Sequence, residues 1–236
     1  MPRGNLLRAT LFALAATAFL TSVAAPAGAE GPWYVSGGAG GYQRESQGGP
    51  TTVTNGIISA PGTQHESFDT GYVLSLGVGY KLPYNFRVEG EFAFANYQSD
   101  KVKPISAPFI GLDGRDFKRV SNVSHDRYLV TLNGYYDVPI PDLSIPVAPY
   151  VGLGLGAAVN DVPARTVFQS ASGVRFTRTE TSGDGGVVQV EAGLGIGVGG
   201  GVTLGPAYRF MHFFGAANRF GDENAHVAKL ALRYGF

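Results

Sequence analysis

The 236-residue chain has no cysteine, so no disulfide can brace it. It is also short of charge. Asp, Glu, Lys and Arg make up 15% of it, against about 25% in a soluble domain, so something other than a charged surface must solvate it. Beyond residue 29 no apolar run approaches the roughly 18 residues of a spanning helix, which excludes helical anchoring of that part. Bases do not exceed acids, at 18 each, and a balance of this kind argues against nucleic acid as a partner. The histidines His65, His125, His212 and His226 lack metal-site spacings such as H-E-x-x-H. Neither a metal nor another cofactor is expected.

What the chain does have begins with an export address. Arg3 and Arg8 precede an apolar stretch from Ala9 to Val23, and Ala27-Gly28-Ala29 forms a small-residue cleavage pattern before Glu30. That order predicts a cleaved signal peptide over residues 1–29 and a single mature domain over residues 30–236. Removing Arg3 and Arg8 leaves 16 bases against 18 acids. An exported chain without disulfides is then stabilised by burial or by a membrane, as a periplasmic β protein or as a transmembrane β-barrel.

Alternation decides between the two. In the last segment Ala228, Leu230, Leu232, Tyr234 and Phe236 share one face, while Lys229, Ala231, Arg233 and Gly235 share the other. The same split recurs in segments around Tyr72–Tyr80, Phe86–Phe94, Tyr128–Tyr136, Val151–Val159, Val188–Val198 and Val202–Phe210, with a weaker glycine-rich one at Trp33–Gln43. An apolar face opposite a face of charge and glycine fits lipid outside and a polar lumen inside. Segments of this length suit spanning strands, which need about 9–11 residues, better than soluble strands of about 5–6. The expected fold is all-β: an eight-stranded, antiparallel, up-and-down transmembrane barrel. Pro149 and Pro206 fall inside strands, where local bulges are expected to accommodate them.

Connection lengths set the orientation. Residues 44–69, 98–123 and 160–186 read as long loops and 214–224 as a shorter one, alternating with brief links at 82–85, 138–146 and 199–201. Barrels of this kind keep short turns in the periplasm and long loops outside. The four outer loops are the candidate binding surfaces, because recognition usually lives in loops on a rigid scaffold. Within the third, Thr166–Gln169 and Val174–Thr179 could extend their strands as a hairpin.

Eight strands leave room only for side chains. The inward set predicted from alternation contains Lys81, Arg87, Glu89, Glu91, Arg127, Glu191, Arg209, Lys229 and Arg233. Buried charges must be paired, so these residues are expected to form a packed network that plugs the lumen. Glu89 and Glu91 share a face, but salt bridging is favoured over acid–base chemistry for them. Gly193-Leu-Gly195-Ile-Gly197 keeps strict period two and leads into a turn and a strand, without the helix a dinucleotide fingerprint needs. No catalytic residue is assigned.

The segments Gly31-Pro-Trp33-Tyr34-Val35-Ser-Gly37-Gly38, Pro149-Tyr150-Val151-Gly152-Leu153-Gly154-Leu155-Gly156 and Leu232-Arg233-Tyr234-Gly235-Phe236 resemble the small outer-membrane β-barrel family, the OmpA-like transmembrane barrels and related bacterial surface antigens. The resemblance covers essentially all of Glu30–Phe236. It implies residence in the bacterial outer membrane after export through the periplasm, contact with outer-membrane lipids and lipopolysaccharide, and insertion by the assembly machinery, which reads a terminal aromatic such as Phe236. It carries the expectation of a non-enzymatic surface protein with roles in envelope integrity and in contact with host or environmental ligands. A narrow porin-like channel is the alternative, and a lipid-modifying enzyme a more distant one. Tyr208–Phe214 is similar in position to the His-x-Ser segment of outer-membrane lipid A deacylases, but Phe214 stands where their serine would be and His212 has no obvious hydroxyl partner.

Overall fold

The computed structural model describes residues 31–54, 59–105, 117–119, 124–140, 146–161, 165–170, 175–179, 183–215 and 222–236. The leader expected over residues 1–29 lies outside them. In chain order the strands are β1 (Trp33–Arg44), β2 (Gln47–Thr54), β3 (Ser59–Phe68), β4 (Gly71–Lys81), β5 (Phe86–Tyr97), β6 (Ser99–Ile105), β7 (Phe117–Arg119), β8 (His125–Asp137), β9 (Val147–Asp161), β10 (Arg165–Ser170), β11 (Arg175–Thr179), β12 (Gly183–Gly199), β13 (Val202–Phe214) and β14 (Glu223–Gly235).

Eight of them close into an antiparallel barrel in the order β1-β14-β13-β12-β9-β8-β5-β4. The period-two pattern explains the closure. Leu132, Leu153 and Leu155 are 61%, 69% and 65% exposed, whereas Arg127, Leu129, Thr131 and Asn133 between and beside them in sequence are buried. A wall that is apolar outside and polar inside has no free edge only when its first and last strands pair, and β1 pairs β14 from Tyr34↔Gly235 to Arg44↔Ala225. Aromatic pairs ring both ends of the wall. Trp33–Tyr80 and Phe86–Tyr136 lie 5.0 Å apart at one end, and Phe94–Tyr128 lie 5.3 Å apart at the other, the girdles expected at two membrane interfaces.

Two of the short links, at 82–85 and 199–201, are tight turns. Tyr84 and Asn85 both take positive φ, at 62° and 64°, which suits the twist of a β-hairpin. Gly199, Gly200 and Gly201 have φ of 96°, 60° and 76°, a run of left-handed backbone that side chains with a Cβ strongly resist. The two prolines behave differently from expectation, since neither sits at a bulge. Pro149 stays in register opposite Leu194 of β12. Its carbonyl accepts from Val138 N at 2.7 Å, so its missing donor points past Asp137, where β8 has ended. Pro206 stays in register with Leu230, while the ladder to β12 passes from Gly193↔Ala207 to Ile196↔Leu204 without a shift. The irregularity in that pair lies at Gly197–Gly199 instead.

The largest departure concerns the outer loops. Segments 44–69, 98–123 and 160–186 are not simply loops: β2, β3, β6, β7, β10 and β11 form a second sheet in the order β11-β10-β7-β6-β3-β2. Only Glu45 and Ser46 separate β1 from β2, and only Asp69 and Thr70 separate β3 from β4. The second sheet follows the cyclic order of the barrel strands from which its members issue. The hairpin read at 166–179 is present, as β10 paired with β11. Its neighbours escaped notice because stretches such as Gln47-Gly-Gly-Pro-Thr-Thr-Val-Thr54 carry no greasy alternate face. Residues 214–224 shrink as well, since β13 runs to Phe214 and β14 starts at Glu223. Among the described residues β13 and β14 alone of the barrel strands carry no extension.

Candidate functional site

The charged residues predicted to point inward divide into levels along the barrel axis. The central level joins β5, β12, β13 and β14. Arg209 grips Glu91 with both terminal nitrogens, at 2.5 and 2.8 Å, and reaches Glu191 through Nε at 2.6 Å. Lys229 Nζ lies 3.0 Å from Glu191 and 3.5 Å from Glu91. Tyr150 donates to Glu191 at 3.0 Å, and Glu89 accepts from Ser36. All of these charged groups are buried. The planar fork of Arg209 suits this role, because it can satisfy two carboxylates at once in fixed geometry.

Toward the end with the short links, Arg87 Nε donates to Asp137 at 2.9 Å and its guanidinium lies 4.2 Å from the Tyr135 ring. Arg233 approaches the same carboxylate at 3.7 Å and is half-buried. Lys81 does not join the packed interior. It is exposed at the rim, because β4 ends there, one residue short of the turn.

Arg127 also stands apart from the central group. At the opposite end of the lumen it binds Glu223 at 2.6 and 3.1 Å, Asn160 through Nε at 2.5 Å and the Tyr42 hydroxyl at 2.6 Å. Arg44 reaches the same Glu223 at 2.9 Å and lies 4.0 Å above the Phe68 ring. Sequence reading missed Arg44 and Glu223 because both had been assigned to loops. Continuing the parity of β1 by one residue and of β14 by two would have found them. Between the central level and the Arg127 level Gln189 donates to Asn133 at 2.6 Å and Asn133 to Thr131 at 3.3 Å.

A further polar group lies on the outer face, near the second sheet. His226 Nε2 donates to Glu45 at 2.9 Å and Nδ1 accepts from the Tyr208 hydroxyl at 2.6 Å, the tautomer that satisfies both partners. Asn224 donates to the other Glu45 oxygen at 2.9 Å and accepts from His212 Nδ1 at 2.9 Å. Hydrogen bonds from His226 and Asn224 hold the Glu45 carboxyl below the usual carboxylate range. The hydroxyl in this group faces His226, and among the described residues His212 bonds Asn224 rather than a hydroxyl.

Chemically, each lumen level pairs its carboxylates with its own bases. Glu89 and Glu91 face bases and a serine rather than an open cleft. A cavity of about 20 Å³ lies beside Glu89, Glu91 and Arg87, room for about one water. At the short-link end a wider cavity of about 490 Å³ opens among Lys81, Asp137 and Arg233. Among the described residues no three His, Asp or Glu side chains converge as a metal site would require.

Comparison with known proteins places this geometry. The family model of the outer membrane protein beta-barrel domain matches residues 12–236. No curated protein matches the chain. Among solved structures, the outer membrane protein OprG from Pseudomonas aeruginosa is 14% identical with a TM-score of 0.51, the match covering 90% of this chain and 99% of that one. Neisserial surface protein A is 18% identical over 87% and 97% of the two chains, with a TM-score of 0.49. The attachment invasion locus protein Ail of Yersinia pestis is 15% identical over 88% and 100%, with a TM-score of 0.40.

Proposed function

The chain belongs to the outer membrane protein β-barrel domain family and resides in the bacterial outer membrane, and from that premise we propose that it is a non-enzymatic surface protein whose outer sheet binds an external ligand while its barrel seals and reinforces the envelope. One observation carries this reading. Six strands continue the barrel wall outward and pair with one another, turning most of the outer connections into a preorganised surface. Ordering such a surface before contact lowers the entropy that binding must overcome. The partners on this reading are lipopolysaccharide and outer-membrane lipids around the wall, a host or environmental ligand at the tip, and the assembly machinery during insertion. Phe236, whose backbone N donates to Trp33 O at 3.0 Å across the seam, is the terminal aromatic that machinery would read.

A narrow channel is the competing reading, and the packing of Arg209 between Glu91 and Glu191 speaks against it. The test replaces residues 46–69, 99–123 and 162–182 with short turns and compares whole cells carrying the full and trimmed proteins. The proposal expects binding to host cells or matrix proteins to vanish with the trimmed form while the barrel still inserts. Equal binding by both forms would overturn it, as would large, stable conductance of the full protein in planar bilayers.

A further inference from the structure

Independently of the outer surface, we propose that the mouth at the short-link end, which opens to the periplasm, is a binding site for a small organic anion, a carboxylate carried on a short apolar body. The cavity there measures about 490 Å³, concave and large enough for such a ligand. Its charge is unbalanced. Among the described residues Lys81 and Arg233 line it against the single carboxylate of Asp137. That carboxylate is already committed to Arg87 at 2.9 Å and lies 3.7 Å from Arg233. Lys81 has no carboxylate partner among the described residues. An acceptor anion would satisfy what the protein leaves open.

Glycine keeps both rim cations inside the mouth. A Cβ at Gly235 would come within 3.1 Å of Lys81 Nζ, and one at Gly195 within 2.7 Å of Arg233 Nη2. Side chains at those positions would push the bases outward or crowd the cavity. The opposite wall is apolar, with Val138, Ile140 and Pro146 contributed by the link between β8 and β9. Val138 and Ile140 are 37% and 42% exposed, an apolar lip beside two cations. A bare inorganic anion would leave that lip uncovered, and a neutral alcohol would leave the cations unanswered.

The experiment uses the full mature barrel in lipid nanodiscs with hexanoate as the probe, followed by amide chemical shifts. Saturable shifts at Lys81, Gly195, Gly235 and Val138 are expected, weakening as salt rises. Lys81→Gln and Arg233→Gln should each weaken binding about tenfold. Gly197→Leu should abolish it without changing any charge, since position 197 lines the cavity and a Cβ there meets Pro146 at an ordinary 3.4 Å. Heat-dependent gel mobility verifies folding, and Lys81 is exposed, so its variant remains informative if Arg233→Gln fails to fold. Hexanol shifting the same amides as strongly would remove the charge recognition. Inorganic phosphate binding as tightly as hexanoate would remove the apolar part. Unchanged hexanoate binding in all three variants would overturn the site.

Discussion

The two buried ion-paired levels of the lumen are built on opposite plans. At the outer level two arginines, Arg44 and Arg127, share one carboxylate, Glu223, within a wall of Tyr42, Tyr97, Phe68 and Phe213. At the central level one arginine, Arg209, and Lys229 hold two carboxylates, Glu91 and Glu191. The outer level sets its guanidiniums against aromatic faces, and the central one relies on a second base. The contrast shows that a narrow barrel needs each level satisfied locally, because buried charges several strand rungs apart do not compensate for missing hydrogen bonds.

Breaking the central level should have the largest effect. Arg209→Met leaves Glu91 and Glu191 facing each other with Lys229 as the remaining base, and should cost about 3–5 kcal/mol, measured by denaturant unfolding from lipid vesicles. Glu223→Gln at the outer level should cost about 3 kcal/mol, because Arg44 and Arg127 keep aromatic partners. Replacing Arg44, Arg127 and Glu223 together by methionine should be milder than Glu223→Gln alone, since no member of the ion-paired group is then left behind. If Glu223→Gln proves costlier than Arg209→Met, the ranking of the two plans is reversed.

Conductance sharpens the comparison further. The two levels lie in series, so truncating Arg209, Glu91 and Lys229 to alanine should leave a planar bilayer nearly silent. Adding Arg127→Ala and Glu223→Ala should produce small steps, limited by the width of eight strands. Currents from the first set alone would identify the central level as the sole plug.

The smallest effect belongs to Glu45, outside the lumen. Its folded-state pKa lies below its ordinary value, so its contribution is fully present above the unfolded pKa, near 4.5, and is lost as pH falls through the folded value. Glu45→Gln should therefore narrow the stability difference between pH 6 and pH 3, by a small amount because the group is exposed. An unchanged acid profile would show that the contact of Glu45 with His226 contributes nothing.

The sequence carried the barrel and the central level for the same reason. Residues such as Glu89, Glu91, Glu191, Arg209 and Lys229 sit at alternate positions of strands whose other face is unmistakably apolar. Arg44 and Glu223 occupy the same inward parity but stand at strand ends, where the apolar signal stops, and so they were hidden. The outer sheet was mostly illegible because stretches such as Gln47–Thr54 have no apolar alternate face in sequence, and so lack the alternation on which the reading depended. Lys81 was misplaced for a simpler geometric reason: parity gives the side of the wall, and only the position of the strand's end shows whether that side is core or rim.

The joints between wall and outer sheet, one or two residues long on β1, β3 and β5, have a mechanical consequence. A tether pulling on the tip is in line with the strands, so its force slides neighbouring strands past one another and is shared among many rungs, rather than peeling them apart one rung at a time. Anchorage under flow would draw on the strength of the whole cylinder, while β13 and β14, which bear no extension among the described residues, would carry tension only through their neighbours.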